Sequence, residues 1–164
     1  DSSNVKVYEG GAVVGGGVGV TDYTLLSSEV QSYNGWFLDF SEFKERNLGQ
    51  ATLLGDVLSF TTYVPSRNPC TFEGETFLYA LNFQTGTSFH KTVIGNDSSD
   101  TKDGAELVLK KISLGTGLSI TPNIHTGRET GSKVFIQTSV GAIAVIDELN
   151  PGTTKSGKLF WQEN

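Results

Sequence analysis

Ala51-Thr52-Leu53-Leu54-Gly55-Asp56-Val57-Leu58-Ser59-Phe60-Thr61-Thr62-Tyr63-Val64 is the stretch that decides the fold. Two residues, Gly55 and Asp56, separate two runs rich in apolar, β-branched and aromatic side chains. That spacing reads as strand, tight turn, strand, and glycine at the first turn position suits a type II′ hairpin. Pro65-Ser66-Arg67-Asn68-Pro69-Cys70 then ends the strand, because two prolines remove ladder donors.

The same grammar recurs outward from this hairpin. The strand 76–83 closes at Gln84-Thr85-Gly86 and is expected to continue at 87–89 as a second hairpin. Residues 107–114, the turn Gly115-Thr116-Gly117 and residues 118–120 read as a third, and 134–139, Val140-Gly141 and 142–149 as a fourth. Lys158-Leu159-Phe160-Trp161 reads as a final strand. A period-two signal runs through Gly35-Trp36-Phe37-Leu38-Asp39-Phe40, and only residues 41–48 offer weak helix. The expected class is all-β, built of antiparallel hairpins as a partial β-propeller-like or open β-sheet module.

Composition agrees. The chain has 164 residues with 20 glycines, ten Phe and five Tyr, enough for one core bounded by many turns. A formal charge of −6 leaves no basic patch to offset a phosphate backbone, the cations being scattered apart from Lys110-Lys111, so nucleic-acid binding is not expected. No segment reaches the roughly 20 apolar residues that span a bilayer. The chain starts at Asp1 without an initiator Met, as a processed piece does.

Residues 1–20 form a Gly/Val-rich N-terminal segment, a candidate contact strand, ahead of the module at 21–164. Its glycines do not spell GxGxxG, and no helix follows to receive a pyrophosphate. Close approach of backbones in a sheet or at a subunit contact is the expected use.

No catalytic, cofactor-binding or metal-binding residue is assigned. Cys70 is the only cysteine, which excludes an internal disulfide and a Cys/His zinc pattern, and it reads as a small loop or core residue. His90 and His125 lack metal-ligand spacing and read as surface histidines. Asp97, Asp100, Asp103 and Glu106 offer oxygen ligands for calcium, but no EF-hand register is present and a solvated acidic loop over 95–106 is the expected reading. Asn96-Asp97-Ser98 meets the glycosylation sequon. Trp36 and Trp161 are read as core packing before partner anchors. Without a G-x-S-x-G elbow, enzymatic function is not expected.

Set beside each other, Phe77-Leu78-Tyr79-Ala80-Leu81-Asn82-Phe83-Gln84-Thr85-Gly86 and 142–161 share a plan of apolar strand, Asn or Asp, glycine turn and aromatic strand. This plan resembles a quinoprotein-type propeller blade. Gly35-Trp36-Phe37-Leu38-Asp39, Glu45-Arg46, the run 57–65, Pro69-Cys70, Gly74, 77–86 and the closing Gly157-Lys158-Leu159-Phe160-Trp161-Gln162-Glu163 follow the order seen in the C-terminal β-propeller module of the PilY1-type pilus assembly/adhesin family. The resemblance covers roughly residues 20–164. It implies a non-catalytic component of a type IV pilus or related extracellular filament, acting in pilus assembly or adhesion at the cell surface or fimbrium. The implied partners are pilin or pilus assembly proteins within a larger assembly. A chain of three to four blades, at about 40–45 residues each, is too short to close the ring. The alternative is therefore a globular structural subunit of a filament, pairing with a separate short helical pilin chain.

Overall fold

In a computed structural model the described residues are 5–7, 11–14, 26–28, 30–68, 74–89, 92–94, 101–102, 105–106, 108–126 and 131–148, with side chains excepted at 5–7, 11–14, 101–102 and 105–106. The chain is all-β with open antiparallel sheets. The strands are β1 (Val5–Val7), β2 (Gly11–Val14), β3 (Arg46–Asn47), β4 (Thr52–Leu54), β5 (Val57–Val64), β6 (Glu75–Asn82), β7 (Thr101–Lys102), β8 (Ala105–Glu106), β9 (Val108–Leu109), β10 (Lys111–Thr116), β11 (Asn123–Thr126), β12 (Ser132–Gln137) and β13 (Ile143–Glu148).

The hairpin β4–β5 forms with Leu54 paired to Val57, so Gly55 and Asp56 alone make the turn. Gly55 takes φ 58° and Asp56 stays out of the left-handed region, as a type II′ turn requires. β5 then pairs along its whole length with β6, from Val57↔Asn82 to Val64↔Glu75, and β10 and β3 flank that pair to give a five-stranded sheet with β4.

This central sheet is covered on both faces. Val57, Leu78 and Ala80 point to one side, where they meet Val134 and Ile136 of β12 together with Phe89, Val93 and Ile94. That is the main core, held between the central sheet and the three-stranded sheet β11-β12-β13. Each side chain of this kind contributes about 1.5–3 kcal/mol when removed from water. Phe60, Tyr79 and Leu81 point the other way, under Trp36, Leu38 and Phe40. Phe60 and Tyr79 stack with ring centroids 5.0 Å apart, and Phe40 tilts onto both.

Residues 35–40 show what the period-two signal meant there. Trp36, Leu38 and Phe40 are half-buried while Phe37 and Asp39 are exposed, yet no ladder forms. The segment is an extended lid on the central sheet. The weak helix expected over 41–48 is instead a turn at 41–44 leading into β3, and the helical turn described lies at 26–28.

Two expected hairpins change. Asn82 N–H donates to Thr87 C=O at 2.8 Å and Gly86 takes φ 67°, so the chain does reverse, but 87–89 runs on as core loop without a strand. Residues 118–120 do not fold back on β10. β10 pairs with β6 through a bulge at Ser113/Gly115, and Ser119 bridges to Thr138 beyond β12. Both solutions satisfy backbone groups, and the second joins the two sheets. β12–β13 forms as expected, with Gly141 at φ 84° in its turn.

Within residues 1–20, β1 pairs antiparallel with β2, and β2 pairs with β9. In the acidic segment 95–106, expected as a loop, β7 and β8 pair antiparallel. Asp97, Asp100 and Asp103 lie outside the described residues, as do Cys70, His90 and Trp161, the sequon at 96–98 and the strand expected at 158–161. No helix among the described residues is long and apolar enough to cross a membrane.

Candidate interaction surfaces

The sheet β11-β12-β13 buries one face and presents the other. Ser132, Val134 and Ile136 are buried in β12, so Lys133, Phe135 and Gln137 must point outward. Register carries the rule across the sheet, placing Asp147 beside Lys133, Val145 beside Phe135, and Ile143 beside Gln137. From β11, Asn123 lies beside Phe135 and His125 beside Lys133.

This outer face sets exposed apolar side chains among polar ones. Ile143 is 65% exposed and Val145 52%. The buried bridge Ser119↔Thr138 sets Leu118 and Ile120 on the outer side of the same region, with Ile120 64% exposed. Val140, also exposed, lies against Gly117, where a Cβ would sit 3.3 Å from its methyl groups. Charge is confined to one end of the face, where Lys133 Nζ meets Asp147 Oδ1 at 2.6 Å. His125 packs edge-on against Phe135 with centroids 5.1 Å apart. Exposed apolar side chains grouped on one sheet face are a common feature of a protein contact.

The rim of the sheet adds directional groups. β13 is its outermost strand, and among the described residues its far edge is bridged only at Glu148, by Ile94. An open strand carries a row of backbone donors and acceptors spaced to receive another strand. β1 closes the sheet β1-β2-β9 in the same way.

On the opposite side of the central sheet, Glu45 organises a second region. Its side chain is fully buried, with Oε1 accepting from Tyr79 O–H at 2.8 Å and Thr62 O–H at 2.5 Å, and Oε2 from Glu42 N–H at 3.2 Å. Lys111 Nζ stands 3.9 Å from Glu45 and 3.3 Å from Glu42, donates to Ser41 Oγ at 2.9 Å, and lies over the Phe77 ring. A buried carboxylate survives when it is paired and hydrogen-bonded in this way. The cluster ties turn 41–45 to the sheet, leaving Phe43 and Lys44 at the tip.

Trp36 is placed by a third arrangement. Its Nε1–H donates to Phe83 C=O at 2.8 Å, and its ring rests on Gly86, where a Cβ would fall 2.3 Å from Cδ2. The tryptophan thus locks the lid to the 83–87 turn. Of the residues weighed from sequence, Trp36 and His125 have described side chains. They lie on different faces of the molecule. Among the described residues no group of three or more His, Cys, Asp or Glu side chains stands close enough to hold a metal ion.

Glu148 and the apolar outer face were not singled out by the sequence, and Glu45 entered only through the Glu45-Arg46 element of the family resemblance. Only strand parity over 143–148 carried a signal for the outer face. Comparison with protein-family models, curated proteins and solved structures found no match.

Proposed function

We propose that this chain is a non-catalytic assembly module of a type IV pilus or related extracellular filament, and that it acts by lending a sheet face and a strand edge to a neighbouring protein. The observation that carries the reading is the outer face of β11-β12-β13, where Ile143 and Val145 stand exposed on β13, the strand with the open edge, and Ile120 stands exposed on the β11 side of β12. The sequence resemblance over 20–164 supplies the choice of pilus among assemblies, and the fold's open sheets supply the mechanism. A docked strand satisfies backbone groups along β13 while its side chains cover the apolar row.

The test is co-purification with sheared filaments from the source cells, with the chain quantified against the main pilin. The wild-type chain is expected in the fibre fraction, and the Ile143→Lys/Val145→Lys variant in the soluble fraction. Few copies per fibre indicate a tip or assembly factor, and one per repeat indicates a structural lobe beside a helical pilin chain. A wild-type chain that stays monomeric and soluble in the presence of its own filaments overturns the reading.

A further inference from the structure

Phe43, Lys44, Pro65, Ser66 and Arg67 line a cleft of about 370 Å³ between the tip of turn 41–45 and the end of β5. From these residues we infer that the cleft is a binding site for a carboxylate-bearing sugar of the uronic-acid type. The site lies on the Tyr79 side of the central sheet, since Glu45 anchors its turn to Thr62 and Tyr79, and the assembly face lies beyond the other side. It stands independently of the proposed filament contact.

Charge is the first argument. The chain carries a net −6, and yet the cleft is lined by two cations and no carboxylate. Among the described residues neither Lys44 nor Arg67 is in an ion pair, whereas Lys111 and Lys133 both are. The nearby acids Glu42 and Glu45 are engaged by Lys111. Two cations on one lining, Lys44 from turn 41–45 and Arg67 from beyond β5, offer a seat for one anion, with the guanidinium able to grip a carboxylate through two parallel hydrogen bonds.

Shape and apolar surface narrow the ligand. The volume lies at the low end of the range for small-molecule sites, about 300–1,000 Å³, which suits a sugar unit and is too small for a helix or a duplex. Phe43 is 67% exposed, and with Pro65 it supplies flat apolar surface for the C–H face of a pyranose ring. An acidic sugar presents both demands at once, a C–H face and a carboxylate.

Backbone conformation is the third argument. Lys44 is the one non-glycine residue described with positive φ, at 63°. Glycine or asparagine would relax that turn. A lysine held there, its Nζ 5.2 Å from the Phe43 ring centroid, keeps its charge on the cleft lining at the expense of local stability.

That strain supplies a discriminating variant. Lys44→Gly removes the charge and also relieves the backbone, so it is expected to raise the melting temperature while weakening binding at least tenfold. Arg67→Gln is expected to weaken binding similarly with the melting temperature unchanged. Calorimetric titration of the full chain with a trigalacturonate should give saturable binding that falls as salt rises. The carboxyl-reduced trisaccharide should give none. No binding of trigalacturonate at millimolar concentration overturns the proposal. So does equal binding of the reduced sugar or of an acidic tetrapeptide, or binding untouched by both substitutions. Filament co-purification of the two variants should match wild type, which separates this site from the assembly surface.

Discussion

Ser59 O–H donates to Glu148 Oε1 at 3.1 Å, a hydrogen bond that crosses the main core from the central sheet to β13. Glu148 is completely buried, and its Oε2 has no hydrogen-bond partner among the described residues. A carboxylate so placed would be costly, and a protonated carboxyl much less so. Burial accordingly pushes the Glu148 carboxyl above the ordinary range, with the Ser59 hydrogen bond pulling partly the other way.

Stability should therefore depend on pH through this one acid. Because the folded state holds the proton more tightly than the unfolded chain, its contribution is complete below about pH 4.5, the unfolded value, and is lost as pH rises through the raised folded value. The loss cannot exceed about 1.4 kcal/mol per pH unit inside that window. Glu148→Gln keeps the shape and the acceptor for Ser59 but has no proton to lose. Urea denaturation from pH 4 to 8 should show the variant gaining on wild type as pH rises. Parallel curves for the two proteins would place the titration elsewhere.

Glu45 presents the opposite case, a buried acid with its donors supplied. Removing a donor should hurt more than an ordinary surface change. Tyr79→Phe is expected to cost about 1–3 kcal/mol, the range for leaving a buried acceptor short of a partner. Glu45→Ala should cost more, about 2–5 kcal/mol, since it leaves the Tyr79 and Thr62 hydroxyls without their acceptor and releases turn 41–45, while Lys111 keeps Glu42 and Ser41. Chemical denaturation measures both, and a cost below about 0.5 kcal/mol for Glu45→Ala would mean the cluster is decoration.

The two acids mark where the sequence stopped being readable. Gly55-Asp56 and Val140-Gly141 announced their hairpins because turn chemistry is local. The all-β class followed from such turns. Nothing local told residues 118–120 to bridge toward Thr138 in place of β10, since Gly115 and Gly117 permit several directions and the choice is made by tertiary pairing. In 35–40 the alternation was real, but it described a lid packed over aromatic rings, and burial period alone does not distinguish a lid from a ladder. Glu45 and Glu148 look like any other acids until the strands that bury them are paired. Of the interaction surfaces, the parity of 143–148 was legible and the sharing of one cleft by Lys44 and Arg67 was not, since turn 41–45 and the end of β5 meet only in the fold.

The contact between Trp36 and Gly86 makes a sharper test of the lid. Gly86 is held at φ 67° with the indole directly over the position a Cβ would take. Gly86→Ala must both strain the backbone and displace the ring, so a loss of about 2–4 kcal/mol is expected. Trp36→Phe keeps apolar cover but forfeits the hydrogen bond to Phe83 C=O, a loss nearer 1 kcal/mol before packing is counted. In the double variant the two costs should not add, because a ring no longer tied to Phe83 C=O is free to swing off the alanine. Additive losses would show that the ring and the glycine act separately.

The outer face of β11-β12-β13 makes the last prediction, because stability and association should come apart there. Ile143 and Val145 are more than half exposed and lie outside the main core, so exchanging them for lysine removes little buried area. Folding stability should stay within about 0.5 kcal/mol of wild type, the ordinary range for surface positions. Association should not survive, since lysine on an edge strand is a standard device against strand addition and a charge in the apolar row must be desolvated on docking. Val134→Ala is the control from the same sheet's buried face: Val134 is 0% exposed, so it should lose stability by about 1–3 kcal/mol with the outer surface intact. Sedimentation velocity with filament extract, run on all three chains at a temperature where each is folded, separates the outcomes. If Ile143→Lys/Val145→Lys sediments with the filaments as wild type does, the contact lies elsewhere on the molecule, and the open edge of β1 becomes the next surface to block.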